Sequence, residues 1–424
     1  MRVAPAFLLL ALLPCRVDAR PVPLPEVEVQ EVLARGLDGM DPGPAGRAVL
    51  FAGLASELGS DGVLQTVEHR VERALTLRGG RELGILGITG GGCAGEASLL
   101  AVRVHRADGR MVEVPVESAR EAAFMPPGAC RPSRSKLLQL PRLLPGDSVE
   151  RMVLRRDHDL AALDGPDGRE PLLPRMDAQL QGTVSFAEGV PVVEKVFSLV
   201  LPPGTELQLE TSGRLASVRR TVLEDGRTRL RLEAEHIPGW PSDGLRSGRG
   251  EAPPVAVLST LRDWRALSSW LRWVTEPLLV PDEGLRAAAG VMVKGARTPD
   301  EAALRLLEHV AGILGPGSSG GPHGEACPPG PGLRTSRLRS GTAADLAVLL
   351  VTLLRAAGVQ DAWLALELGE AGWSEVPGVG PGRWVAAWER SPGDLVVLDP
   401  SRPSRAGGGV PAAPAVARIL AAAS

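Results

Sequence analysis

Ser340-Gly341-Thr342-Ala343-Ala344-Asp345-Leu346 opens an apolar run that continues to Ala357. Hydroxyl residues followed by an acid suit a helix start, where backbone N–H groups lack partners and the positive end of the helix dipole favours a carboxylate. Ser340 and Thr342 could supply hydroxyls for nucleophilic chemistry. Without a base a hydroxyl attacks poorly, so a helix N-cap is their expected role.

The other reactive side chains are few. Cys93, Cys130 and Cys327 follow a leader that holds Cys15, and six histidines are scattered along the chain. His69, His105, His158 and His236 lack metal-ligand spacing to a second His or Cys, and Asp157-His158-Asp159 after two arginines reads as a solvated loop. His309 sits in a helical pattern and is expected exposed or packed. Cys93 and Cys130 share one domain and are the expected disulfide pair, which leaves Cys327 free in a Gly/Pro/Ser loop with His323. No metal and no cofactor are expected.

The elements that must position these residues fall into two halves. From Ala48 to Ile237 short alternating segments are separated by turn signals, with Asp108-Gly109 and Asp225-Gly226 marking hairpins. Many short strands of this kind predict an antiparallel β-sandwich. Beyond it, Trp264, Leu267, Trp270, Leu271 and Val274 line one helical face. Thr298-Pro299-Asp300-Glu301 has the form of a capping box with proline at the first helical position. A helix from Thr342 to Ala357 is apolar on most sides, predicting a buried central helix stopped by Gly358. Strands at Ala362–Leu368, Trp384–Trp388 and Leu395–Leu398 complete an α+β back half.

Length and composition narrow the function classes. A chain of 424 residues with 44 % apolar and 23 % charged content is ordinary globular material for two or three domains. A net charge of −3 offers no basic field for nucleic acid. Arg2, the apolar run Ala6–Leu13 and Val17-Asp18-Ala19 have the form of a secretory signal peptide cleaved after Ala19. Leu12-Leu13-Pro14-Cys15 is a poor lipobox, so lipid anchoring at Cys15 is the lesser alternative. No transmembrane helix is expected.

The expected division is residues 1–19 signal peptide, 20–44 linker, 45–240 β-sandwich, 241–254 linker, 255–404 the second domain and 405–424 an Ala/Gly/Pro-rich tail.

Several scattered motifs resemble one family. Ala107-Asp108-Gly109-Arg110 and Leu144-Pro145-Gly146-Asp147-Ser148-Val149-Glu150 stand in the front half. Ser259-Thr260-Leu261-Arg262-Asp263-Trp264, Leu354-Arg355-Ala356-Ala357-Gly358-Val359 and Leu398-Asp399-Pro400-Ser401 stand in the back half. Their order and spacing resemble a bacterial transglutaminase-like protein, in which a β-sandwich of unknown function precedes a transglutaminase and papain-like domain. The resemblance implies a Cys–His–Asp triad, with the cysteine at the start of the buried helix and the histidine on a following strand. Matched residue by residue, the cysteine position is Ala343, the histidine position falls at or beside Trp384, and Asp399 matches the aspartate.

No histidine lies between Ala357 and Asp399, so the base is lost together with the nucleophile. The resemblance therefore implies an exported, catalytically inactive relative that binds or scaffolds an envelope protein, peptide or glycan. The alternative is a thiol acyl-transferase or peptidase with Cys327 as a displaced nucleophile. Trp384 and Trp388 share one strand face. They either fill the former cleft or form an aromatic binding platform. Asp399 before a proline also suits a plain turn.

Overall fold

The computed structural model describes residues 27–60, 62–89, 95–124, 133–157, 180–240, 253–313, 330–339, 341–368, 376–377, 382–391, 394–401 and 418–420. The four cysteines, the leader with its cleavage site, His158 and His323 lie outside the described residues, and with them the expected disulfide.

Helix α1 (Val29–Arg35) leads into β1 (Arg47–Leu58) and β2 (Leu64–Ala74). Helix α2 (Leu77–Leu83) precedes β3 (Ile85–Thr89), β4 (Gly95–His105), β5 (Met111–Glu113), β6 (Arg120–Phe124), β7 (Ser133–Gln139) and β8 (Ser148–Asp157). Then come β9 (Gln181–Ser185), β10 (Val192–Leu201), β11 (Gln208–Ser212), β12 (Ser217–Val222), β13 (Thr228–Ile237) and β14 (Val255–Ser259). The back half holds α3 (Trp264–Thr275), α4 (Glu283–Met292), α5 (Pro299–Ala311), α6 (Gly332–Leu338) and α7 (Ala343–Ala356). It closes with β15 (Trp363–Leu368), β16 (Gly382–Ser391), β17 (Asp394–Leu398) and β18 (Arg418–Leu420).

The fold class is α+β, as the alternating front and helical back predict. One eight-stranded sheet, β12-β13-β10-β1-β2-β8-β4-β5, forms the frame of the front half. Two three-stranded sheets cover it. The sheet β11-β14-β9 shares a core with one half of the frame, joining Val184, Ala256 and Leu258 to Phe197, Leu199, Leu230 and Leu232. The sheet β3-β7-β6 shares a second core with the other half, joining Leu86 and Leu138 to Val102, Val104 and Val149.

Strand β2 crosses both cores. Its even residues run from Leu64 in the first to Ala74 in the second, so the period of two puts Glu68, Arg70 and Glu72 on the same face between them. There Arg151 meets Glu68 at 2.9 Å, Arg70 meets Glu188 at 2.5 Å and Lys195 meets Glu188 at 3.2 Å.

Both Asp-Gly hairpins form where expected. Gly109 and Gly226 take φ of 86° and 80°, backbone that a Cβ opposes, and Asp108 and Asp225 each accept from the N–H two residues on. The first hairpin is also tied to the Leu144-Pro145-Gly146-Asp147 turn. The buried Asp147 carboxylate accepts from Leu144 N at 2.9 Å, Ala107 N at 3.0 Å and Arg106 Nη1 at 2.7 Å. Burial alone would raise its carboxyl; the Leu144 N–H, Arg106 and the Ala107 N–H outweigh that and hold it below the usual range. The two front motifs that carried the family resemblance are thus one contact.

Four details depart from the sequence expectation. The stretch read as a 20–44 linker contains α1, whose Val32 is buried in a core with Leu50, Phe51, Val71, Val193 and Val196. Pro and Gly on either side obscure that two-turn amphipathic pattern. The frame is not wholly antiparallel, because β1 pairs with β10 in parallel. Strand β14 pairs with β9 and β11, so the expected boundary at 254–255 moves past Ser259 into the sheet of the front half. Within the expected tail, β18 pairs with the edge of β15.

The back-half helices start where polar caps stand. Asp263, Asp282, Thr298 and Thr342 each accept from a backbone N–H three residues on. Helix α7 lies at the centre, against α4, α5, α6 and the four-stranded sheet β17-β16-β15-β18. His309 is exposed on α5. Among the described residues no helix is long and apolar enough to cross a membrane.

Candidate functional site at the start of the buried helix

Helix α7 begins with a complete capping box. Thr342 Oγ1 accepts from Asp345 N at 3.2 Å, and Asp345 Oδ2 accepts from Thr342 N at 2.9 Å and Thr342 Oγ1 at 3.0 Å. The other carboxylate oxygen accepts from Gly330 N at 2.7 Å and so pins the chain entering α6. Thr342 acts as the expected cap, and its hydroxyl is committed there.

Gly341 is required by space. A Cβ at this position would lie 2.7 Å from Asp345 Cβ and 3.1 Å from Thr335 Cγ2. Gly341→Ala is therefore expected to push Asp345 off the cap and cost about 1–3 kcal/mol in denaturant unfolding. An unchanged midpoint would mean that the turn yields freely.

Ala343 is the first residue of α7 and is half-buried. Every residue from Leu346 to Leu354 is buried, and Trp384, Ala386 and Trp388 of β16 share that core with Val396 and Leu398 of β17. Helix α7, β16 and β17 thus form one packed unit. Ala343 and Trp384 lie on α7 and β16, and Asp399 directly follows β17, so the three positions singled out in the sequence carry a methyl group, an indole and a carboxylate. Asp399 follows the last β16–β17 pair, Ala386 with Leu398. Its Oδ1 accepts from Ser401 N at 2.8 Å and Ser401 Oγ at 2.5 Å, the turn that an Asp-Pro strand end favours.

Of the two readings of Trp384 and Trp388, rings that fill the interior agree with their burial, and the binding platform does not. The two residues are 2 % and 3 % exposed, so their rings pack in the core and offer no face to a ligand. Sheet alternation put them on one side as expected, and that side is the one covered by α7.

A buried polar cluster in the front half escaped the sequence reading. His69 Nε2 lies 3.1 Å from Glu150 Oε1, and His105 Nε2 lies 2.8 Å from Glu150 Oε2. Arg103 Nη1 donates to Glu150 Oε1 at 3.0 Å. An ionised carboxylate only accepts, so both Nε2 atoms carry protons. Burial would raise the Glu150 carboxyl, but His105, His69 and Arg103 hold it well below the carboxylate range. The partners come from β2, β4 and β8, so the only available signal was strand pairing, which spacing does not reveal. Among the described residues no group of three His, Cys, Asp or Glu side chains could hold a metal ion.

Residues 61–241 match the family "Domain of Unknown Function with solved-structure structure (DUF3857)". No curated protein matches the chain. Among solved structures, the crystal structure of a "putative protease" from Parabacteroides distasonis is 16 % identical. The match covers 83 % of this chain and 67 % of that one, with a TM-score of 0.66. At that identity it shows a shared fold.

A "putative cysteine protease" from Cytophaga hutchinsonii matches at 14 % identity and a TM-score of 0.23, over 57 % of this chain and 83 % of its own. An M1 zinc metallopeptidase from Deinococcus radiodurans matches at 12 % identity and a TM-score of 0.27, over 51 % and 43 %. Likeness at that level carries no argument. The DUF3857 match takes in strands β2 to β13 and therefore the Glu150 cluster; it stops short of α7.

Proposed function

We propose that this chain is an exported transglutaminase-like protein of the bacterial envelope that has lost its catalytic thiol and works as a binding module. The observation that carries the reading is Ala343. It sits at the capped start of α7, the helix whose buried residues pack with β16 and β17, where the family's chemistry needs a thiolate. The base position holds the buried indole of Trp384. Loss of the nucleophile from a comparable triad lowers turnover about a millionfold.

The test is a pair of assays on the full chain, amine incorporation into a glutamine-bearing protein and hydrolysis of peptide amides, each with and without iodoacetamide. The expected result is no turnover above the buffer rate and no change on alkylation. Rapid alkylation of Cys327 with parallel loss of a measured activity would overturn the reading. Secretion with cleavage after Ala19 is read separately, by mass spectrometry of the N-terminus of the exported protein.

A further inference from the structure

The outer face of α3 carries features that neither the α7 unit nor the front half uses. Leu267, Leu271, Thr275 and Leu279 are buried on one side of α3 and the 3-10 turn Glu276–Leu279 that continues it. On the opposite side, Ser269, Arg272, Trp273, Glu276, Pro277 and Val280 line a shallow cleft of about 470 Å³. Trp273 is 71 % exposed and Val280 64 % exposed, and the two stand together in the cleft rather than singly.

The wall of this cleft is fixed in place. Arg355 of α7 grips Glu276 through two hydrogen bonds of 2.7 and 3.1 Å, and its Nε donates to Ala362 O at 2.7 Å. The carboxylate of Glu276 is therefore paired, although half-exposed. The guanidinium groups of Arg272 beside it and of Arg265 two turns earlier are exposed and make no hydrogen bond or ion pair among the described residues, and the charge of Arg272 acts on Glu276. The helix thus presents two exposed guanidinium groups, Arg272 in the lining of the cleft and Arg265 beyond it along the same helix.

That combination selects an occupant. A glycan needs many donors and acceptors for its hydroxyls, and the lining offers few: the Ser269 hydroxyl, the Arg272 guanidinium, the Trp273 indole N–H and the Glu276 carboxylate already held by Arg355. An apolar floor with exposed cations in and beyond its lining suits an acidic peptide with ring-bearing side chains, which the indole can cover. Arg265 and Arg272 lie about 10 Å apart along the helix axis. An extended chain covers that distance in about three residues.

We propose that the Trp273 cleft binds an extended peptide segment with acidic residues three apart and aromatic or proline residues between them. This rests on the reading of the chain as a binding module and gives that module a site. The site stands apart from the α7 start, so peptide binding and amide turnover are measured independently.

The probe is fluorescein-labelled Glu-Phe-Pro-Glu-Phe-Pro, followed by fluorescence anisotropy with the full chain. Its lysine counterpart and a chito-oligosaccharide serve as comparisons. The glutamate peptide is expected to bind at least about tenfold more tightly than the lysine peptide. Trp273→Ala and Val280→Asp should each weaken it about tenfold while leaving the unfolding transition unchanged, because both side chains face solvent. Arg265→Gln with Arg272→Gln should erase the preference for glutamate and flatten the salt dependence. Three outcomes overturn the proposal: equal binding of the two peptides, binding indifferent to Trp273 and Val280, or displacement of the peptide by the oligosaccharide. Failure of any of these leaves the amide assays, and thus the reading of Ala343, standing on their own result.

Discussion

Trp384→Ala is expected to destabilise the chain by about 3–5 kcal/mol, measured by urea unfolding. The indole is 2 % exposed and sits in the core that joins α7 to β16, so its removal leaves a cavity that the flanking Ala386 cannot fill. Trp384→Phe should cost less, because most of the ring volume remains. Ala343→Cys should behave differently. The site is half-buried at a helix start, so a thiol fits and should alkylate readily without changing the unfolding midpoint.

The contrast bears on function. If the indole stands where a base would be needed, then placing Cys at 343 alone gives a reactive thiol without turnover. Adding Trp384→His would cost stability before it could restore catalysis, because a smaller polar ring enters an apolar core. A loss below about 1 kcal/mol for Trp384→Ala would show that the indole is dispensable packing. Position 384 would then not be committed to the core.

How much of this was legible in the sequence depends on how local the determinant is. Helix α7 was readable end to end. Thr342 and Asp345 mark its start, the leucines mark its burial, and Gly358, with φ of 104°, marks its end. The Asp-Gly hairpins were readable for the same reason, since four or five consecutive residues fix the turn. The burial of Trp384 followed in part from alternation along β16, but which face α7 covers is a tertiary fact.

What escaped was set by pairing between distant segments. The parallel partnership of β1 with β10 aligns Val49 with Val192, and nothing local in either strand distinguishes it from an antiparallel one. The position of β14 was misjudged because a Gly- and Arg-rich stretch before it looks like a domain boundary, whereas Val255 in fact pairs with Ser185 and Ser212. Asp147 was quoted as part of a motif, but its role is to accept from residues 40 and 41 positions away. Helix α1 was missed because seven residues between Gly- and Pro-rich flanks give too short a periodic signal.

The Glu150 cluster is the extreme case, with hydrogen-bond partners 81 and 45 residues from the carboxylate, and it supports the other large expected effect. Glu150→Ala leaves His69, His105 and Arg103 with no common acceptor in a site where the carboxylate side chain is 3 % exposed. Removing one member of such a buried set costs about 3–5 kcal/mol.

The pH dependence follows from the sign of the shift. The carboxyl is depressed in the folded chain, so the unfolded chain binds the proton more readily. Its stabilisation is complete above the unfolded carboxyl value, about 4.3, and is lost as pH falls below that toward the folded value. Glu68, held at about 2 against burial by Arg151, Arg70 and Arg155, acts in the same direction, worth on the order of 3 kcal/mol at neutral pH.

Urea unfolding of the wild type between about pH 7 and pH 2 should therefore show a steep acid loss. Glu150→Gln, which keeps the shape and removes the charge, should be less stable at neutral pH and lose less on acidification. Acid limbs of equal slope in the two proteins would mean that the Glu150 carboxylate contributes nothing to the folded frame. The two histidines would then have to be held by packing alone.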